Sequence, residues 1–152
     1  MGKEILKKMY NIRVYGLLIN DQQEVLVSDE YRMDMNMTKF PGGGLEAGEG
    51  LIDCLKREWQ EELNVKIEIE KHFYTTDYYV KSAFNSAQLI SVYYLIKTSN
   101  TLAVKISKSA FDFDEIKDGA QHFRWIKIKS LKETDFTFPI DKRVAEMLKS
   151  NL

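Results

Sequence analysis

An α/β fold in a single domain is what the sequence predicts, on three observations. β-rich segments recur along the 152 residues, two segments carry helical periodicity, and no Ser/Gly-rich linker or low-complexity tract separates them. Taken in order, Tyr10 to Asn20 and Glu24 to Ser28 are strand-like, and the polar group Asn20-Asp21-Gln22-Gln23 between them predicts a hairpin connection. Residues 29 to 50 predict a loop with one short strand, Thr38-Lys39-Phe40, followed by Pro41-Gly42-Gly43-Gly44, where the backbone is held open. A helix follows from Gly50 to Leu63. Lys66 to Val80, Gln88 to Lys97, Thr101 to Ile106 and His122 to Ile128 are rich in Ile, Val, Tyr and Phe and predict strands. Ser130-Leu131-Lys132-Glu133 fits a capping box. Pro139 suits the first turn of a closing helix that places Ile140, Val144, Met147 and Leu148 on one face.

Charge and composition exclude several classes. Twenty-two Lys plus Arg stand against 23 Asp plus Glu, a net charge of -1, which argues against a dedicated nucleic-acid or anionic-membrane binder. The opening residues lack the apolar run of a signal peptide or membrane span. The single cysteine, Cys54, has no internal partner for a bridge, so a reducing, cytoplasmic setting is expected. A chain of this length buries roughly 70% of its unfolded surface and needs no disulfide or structural metal to hold a core.

The segment Gly43 to Val65, GGLEAGEGLIDCLKREWQEELNV, carries the chemistry. On a wheel of about 100° per residue, Glu58, Glu61 and Glu62 fall within one arc of about 100°. Ile52, Leu55, Trp59 and Leu63 form an adjacent apolar stripe, and Asp53, Lys56 and Gln60 take the solvent side. Like charges at these spacings repel by a few tenths of a kcal/mol per pair. For an isolated acidic triplet the ordinary reading is a solvated helix face; the alternative is a hard divalent cation such as Mg²⁺ held by carboxylates and substrate oxygens.

The surroundings favour the second reading. Gly43, five residues, Glu49, seven residues, then Arg57-Glu58-Trp59-Gln60-Glu61-Glu62-Leu63-Asn64-Val65 resembles the Nudix box G-x5-E-x7-R-E-U-x-E-E-x-G-U, where U is bulky and apolar. Lys39-Phe40-Pro41-Gly42-Gly43-Gly44 resembles the entry to that box. The one departure is Asn64 in place of the final glycine, and Asn is the next best residue for the left-handed conformation that ends such a helix. The resemblance implies a Nudix-type α/β/α sandwich with a mixed sheet and a loop-helix-loop motif. It also implies hydrolysis of a phosphoanhydride in a nucleoside diphosphate linked to another moiety, X, by water attack on phosphorus with Mg²⁺ or Mn²⁺. In the resemblance, Glu58, Glu61 and Glu62 bind the metal with a backbone carbonyl of Gly42. Glu58 also orients or deprotonates the attacking water, and Glu49 pairs with Arg57 to anchor the loop on the helix. A nucleotide-like small molecule is the implied partner, and a homodimer is compatible with the family.

Substrate contacts are expected from Gly43 and Gly44, whose backbone approaches phosphates unobstructed, and from Lys39, Arg32 and Tyr31. For Lys39 and Arg32 the competing reading is an ordinary solvated surface residue. Tyr31, Tyr74, Tyr78, Tyr79 and Phe84 are candidate base-stacking aromatics, each also readable as a core or strand residue. Asp112, Asp114, Glu115 and Asp118 lie between predicted strands, as a possible extra acid or a solvated loop. His72, His122 and Trp125 read as structural, and Cys54 as no nucleophile. The prolines that mark the ADP-ribose and NADH-cleaving subgroups after the box are missing, since none occurs between Pro41 and Pro139. Two alternatives accompany the hydrolase reading: a nucleotide-binding module without catalysis, which an intact carboxylate set disfavours, and an isopentenyl-diphosphate-type isomerase, which needs a cysteine outside the box.

Overall fold

The computed structural model describes residues 9–151, so the expectation for the opening residues falls largely outside them. The elements in chain order are β1 (Tyr10–Leu18), β2 (Glu24–Arg32), β3 (Met35–Lys39), β4 (Gly42–Gly44), α1 (Leu51–Leu63), β5 (Glu68–Thr75), β6 (Gln88–Lys97), β7 (Ala120–Lys127) and α2 (Pro139–Asn151). Two short 3₁₀ turns, Ile128–Ser130 and Glu133–Asp135, link β7 to α2. The strands form a four-stranded sheet in the order β4-β1-β6-β5 and a three-stranded sheet in the order β3-β2-β7. Among the described strands only β1 and β6 pair in parallel, which makes the first sheet mixed, as predicted.

Alternation along β1 and β2 feeds two separate cores. Tyr15, Leu17, Val25 and Val27 pack with Ile140, Val144, Ala145 and Leu148 of α2. Val14, Leu18 and Leu26 pack with Cys54, Leu55, Trp59 and Leu63 of α1. One helix therefore covers each face. Trp59 lies over Gly16, where an added Cβ would fall 2.8 Å from its indole nitrogen, and that nitrogen donates to the Pro41 carbonyl at 3.2 Å. This bond ties the middle of α1 to the start of β4.

Several local expectations change. Residues 29 to 50 are largely strand, because β2 runs on to Arg32 and Gly42 to Gly44 pair with Tyr15 to Arg13. Polar Asp29 and Glu30 read as loop in the sequence, yet both are buried with partners from other strands. Thr101 to Ile106 is not a strand: Ile106 alone bridges Phe123, and Leu102, Val104 and Ile106 lean on the α1 core. The predicted strand from Lys66 to Val80 contracts to β5. On α1, Ile52 is 42% exposed and Cys54 takes its place in the core, against the carbonyls of Gly43 and Gly44. No cap forms between Ser130 and Glu133; instead the Lys132 N–H donates to the Asp135 carboxylate at 2.8 Å.

The turn after β1 and the end of α1 follow the sequence, although β1 and β2 enter different sheets and pair only at the Ile19–Val25 bridge beside that turn. The Asn20 side-chain oxygen accepts N–H bonds from Gln22 and Glu24. Asn64 adopts φ 53 and ψ 44, and its N–H donates to the Gln60 carbonyl at 3.0 Å. Asn64→Gly is therefore expected to leave stability within about 0.5 kcal/mol, and Asn64→Val to cost about 1–2 kcal/mol, since a β-branched residue is strained at positive φ. Urea denaturation checks both.

Asp141, in the first turn of α2, is 3% exposed and accepts a 2.7 Å bond from the Tyr93 hydroxyl. Burial pushes its carboxyl up to about 7. The folded state thus holds this proton more tightly than the unfolded chain, whose aspartates titrate near about 3.9. The resulting stability is full below about pH 4 and is lost as pH rises through about 7. Asp141→Asn keeps an acceptor for Tyr93 without the charge. It is expected to stabilise the fold at pH 7.5 by about 2 kcal/mol, with the gain vanishing toward pH 4. Chemical denaturation across that range checks the sign.

Candidate active site

The first turn of α1 follows the β4 strand through a loop that Arg57 closes. Its Nε and Nη2 donate to the two oxygens of Glu49 at 3.0 and 2.7 Å, and Nη2 also donates to the Gly44 carbonyl at 3.0 Å. This two-point pairing holds the Glu49 carboxyl down to about 2, helped by the Glu46 N–H. The predicted loop-to-helix anchor is present. The remaining guanidinium nitrogen, Nη1, donates to Glu58 at 3.0 Å and Glu61 at 3.3 Å.

The three box carboxylates are not equivalent. Glu58 is 14% exposed and presses on the β4 backbone, where a Cβ on Gly43 would collide with its carboxylate. Glu62 lies on the inner edge of α1. Burial, first, and the nearby charges of Glu30 and Glu58 raise its carboxyl to about 7, against the opposing effect of Lys39. Glu61 is 59% exposed and turned toward Arg57. Among the described residues no three His, Cys, Asp or Glu side chains converge as a ready metal cage. Glu62 lies in the field of Glu58, whereas Glu61 is the exposed member of the three, although Arg57 bonds both Glu58 and Glu61. The donor chemistry still fits a hard divalent cation: every side-chain donor is a carboxylate, and a cation offsets both the burial that chiefly raises Glu62 and the smaller repulsion from Glu30 and Glu58.

Opposite these carboxylates lie Lys39 and, around it, residues the sequence did not single out. Glu30 accepts an ion pair from Lys39 at 3.0 Å, with both side chains near one-tenth exposed. Lys39 is thus a buried partner rather than a solvated surface lysine. Gln121 donates to Ser28 Oγ at 2.9 Å, which in turn donates to Glu30 at 3.1 Å. Arg13 donates to the Tyr15 hydroxyl at 2.6 Å and lies in the field of Glu58 and Glu30. The available signal for Arg13 was a charged residue inside an otherwise apolar strand, which a local reading treats as the strand's wet face, whereas Glu30 fell in the segment read as loop and gave no such signal.

Two hollows flank this group. The smaller, about 90 Å³, is lined by Arg13, Arg32, Lys39 and Glu30, with Phe84 and Phe138 at one side. The larger, about 390 Å³, lies between β7 and residues 104–117 and has Glu62 in its wall. Arg32, Lys39 and Phe84 thus reach the site. Tyr31 does not: its hydroxyl donates to Asp34 within the β2–β3 turn. Tyr78 packs under Arg143 of α2, as does Tyr74. Asp112, Asp114 and Glu115 line the larger hollow, whereas Asp118 accepts the Met33 N–H at 2.7 Å. His72 bonds Thr75 at the surface. The buried Cys54 thiol is pushed up to about 12, which leaves it an inert packing group.

Comparison with known proteins agrees with this arrangement. The chain is 29% identical over 127 residues to mouse nucleoside diphosphate-linked moiety X motif 6, a match covering 83% of this chain and 37% of that protein. This chain therefore spans well under half the length of that relative. Its fold is similar to a MutT NUDIX hydrolase from Burkholderia pseudomallei, with TM-score 0.68, 17% identity and coverage of 95% and 99% of the two chains. It is also similar to a NUDIX hydrolase from Nitrosomonas europaea, with TM-score 0.66, 20% identity and coverage of 90% and 86%. No helix among the described residues is long and apolar enough to cross a membrane. The NUDIX domain model matches residues 9–147, nearly the whole chain and the full extent of both sheets, and the chain belongs to the NUDIX family.

Proposed function

We propose that this chain hydrolyses a phosphoanhydride in a nucleoside diphosphate linked to a second moiety, with Mg²⁺, or Mn²⁺, as cofactor. The observation that carries the reading is the pairing of crowded carboxylates, Glu58 and Glu62, with the cationic hollow of Arg13, Arg32 and Lys39 alongside. A pyrophosphate needs both: cations for its own charge and hard oxygen donors for the metal that accompanies it. The name of the mouse relative, which specifies a nucleoside diphosphate-linked moiety, supports the same substrate class.

In this reading Glu58 and Glu62 would hold the cation, with Glu61 recruited from the rim and the Gly42 carbonyl as a backbone donor. The cation supplies charge neutralisation of the linkage and acidifies water. Arg13 and Lys39 bind the phosphate oxygens, and Gly43 and Gly44 let them approach the β4 backbone. Glu58, fixed between Arg57 and Gly43, orients the attacking water and holds its proton. Arg57 and Glu49 keep that carboxylate in place.

Product analysis tests the proposal. Purified protein with Mg²⁺, and separately Mn²⁺, is incubated with nucleoside triphosphates, dinucleoside polyphosphates, nucleotide sugars, ADP-ribose, NADH and coenzyme A. Metal-dependent cleavage of a phosphoanhydride in at least one is expected; a panel bound but left intact would overturn hydrolysis in favour of a binding module.

A further inference from the structure

The two hollows beside the carboxylates differ in charge. In the smaller, Arg13, Arg32 and Lys39 face one carboxylate, Glu30. In the larger, Lys105 and Lys117 face four: Glu62, Asp112, Asp114 and Glu115. Even with Glu62 committed to the metal, three acids oppose two lysines, and both lysines are already paired, Lys105 with Asp114 at 2.9 Å and Lys117 with Glu115 at 3.4 Å. An anionic group is thus favoured on one side of the site and disfavoured on the other.

The wall of the larger hollow is also chemically specific. Phe113 and His122 stand with ring centroids 5.1 Å apart and their planes inclined at 60°, which puts an aromatic edge and a polar imidazole in the same wall. His122 Nε2 accepts the Asp112 N–H at 3.1 Å, which leaves Nδ1 buried and without a partner. The other such atom among the described residues is Ser107 Oγ, on the residue whose N–H donates to Phe123, the neighbour of His122 in the same wall. Ser107 does not itself line the hollow, so the wall holds one such atom, His122 Nδ1, and a buried polar atom is rarely left unpaired unless a ligand completes it. A volume of about 390 Å³ is in the range of small-molecule pockets.

We propose that the hollow between β7 and residues 104–117 is the subsite for the moiety on the far side of the cleaved linkage, and that its acidic, aromatic-walled lining selects an uncharged polar ring over one bearing a carboxylate or a further phosphate. The proposal rests on the hydrolase reading for the position of the diphosphate, which lies toward Arg13 and Lys39, and adds which end of the substrate faces which hollow. Asp114 and Glu115 set the selectivity, because they hold the two lysines that would otherwise receive an anion.

The test compares a nucleoside diphosphate hexose with the hexuronate of the same base, in uridine and adenosine forms, since the pair differs by one carboxylate. Rates of cleavage are measured with Mg²⁺, and affinities by calorimetry for any compound that is not cleaved. The wild type is expected to prefer the hexose by about fivefold, less as salt is raised, because these charges are partly exposed and screened. In the Asp114→Asn/Glu115→Gln variant the preference is expected to close through a gain on the hexuronate. Both side chains are exposed, so the variant is expected to fold as the wild type does. Equal preference in the wild type, a preference the variant leaves unchanged, or failure of the hexose to bind would overturn the subsite. Discrimination in affinity without cleavage would instead support the subsite and count against hydrolysis.

Discussion

Glu58→Gln is expected to lower turnover by about 10²–10⁴-fold while shifting the melting temperature by only a few degrees. The reasoning separates the two effects. Glu58 lies outside both apolar cores, and its pairing with Arg57 is shared with Glu49, which keeps the guanidinium in place when Glu58 is neutralised. A partly exposed ion pair of this kind contributes about 1 kcal/mol or less to stability. The charge itself is another matter: it is the carboxylate that faces the β4 backbone, and an amide is a far weaker ligand and no base. Glu61→Gln is expected to lose less, because Glu61 sits at the rim. Steady-state turnover on the preferred substrate, alongside thermal denaturation, decides the ordering; wild-type rates for Glu58→Gln would end its assignment to the site.

The second large effect is in the glycine run, where three neighbouring residues are expected to behave differently. Gly42→Ala is expected to cost about 3 kcal/mol or more, because the new methyl would meet the Val14 carbonyl and the Tyr15 Cα of β1, backbone atoms that cannot give way. Gly43→Ala meets only the Glu58 carboxylate, the end of a flexible side chain, so its cost is expected in turnover, about tenfold or more, with a smaller loss of stability. At Gly44 the nearest atom would be Arg13 Nη1 at 3.6 Å, an ordinary contact, so Gly44→Ala is expected to be close to neutral in stability, with its loss confined to turnover, where the methyl stands in the way of the phosphates. Urea denaturation and turnover on the three variants give a pattern that a merely flexible loop would not produce. Equal tolerance of alanine at all three positions would show that close backbone approach is not why these glycines are there.

How much of this was legible beforehand differs by the range of the interaction involved. The helix α1 and its left-handed end at Asn64 were readable from local spacing and residue type, and the grip of Arg57 on Glu49 was legible only through the resemblance to the Nudix box. Ile52 and Cys54 exchanged places because a wheel gives the direction of a side chain but not what stands opposite it, and the β4 carbonyls stand opposite Cys54. Residues 29 to 40 were misread for a related reason. Asp29 and Glu30 are strong loop signals unless something pairs them, and here Thr38, Arg124 and Lys39 do.

The sequence by itself determined the family, the acidic edge of α1 and the alternation that gives β1 and β2 an apolar residue toward each helix. Only the tertiary structure decided that Glu61 rests at the rim with Arg57, that Arg13, Glu30 and Lys39 form the opposing charged group, and that the hollows on either side carry opposite charge. Periodicity reports how a segment divides between inside and outside, and so it is written locally. A buried charge is stable only if another charge reaches it, and those partners arrive from strands 9 and 95 residues away, through a register that packing alone fixes.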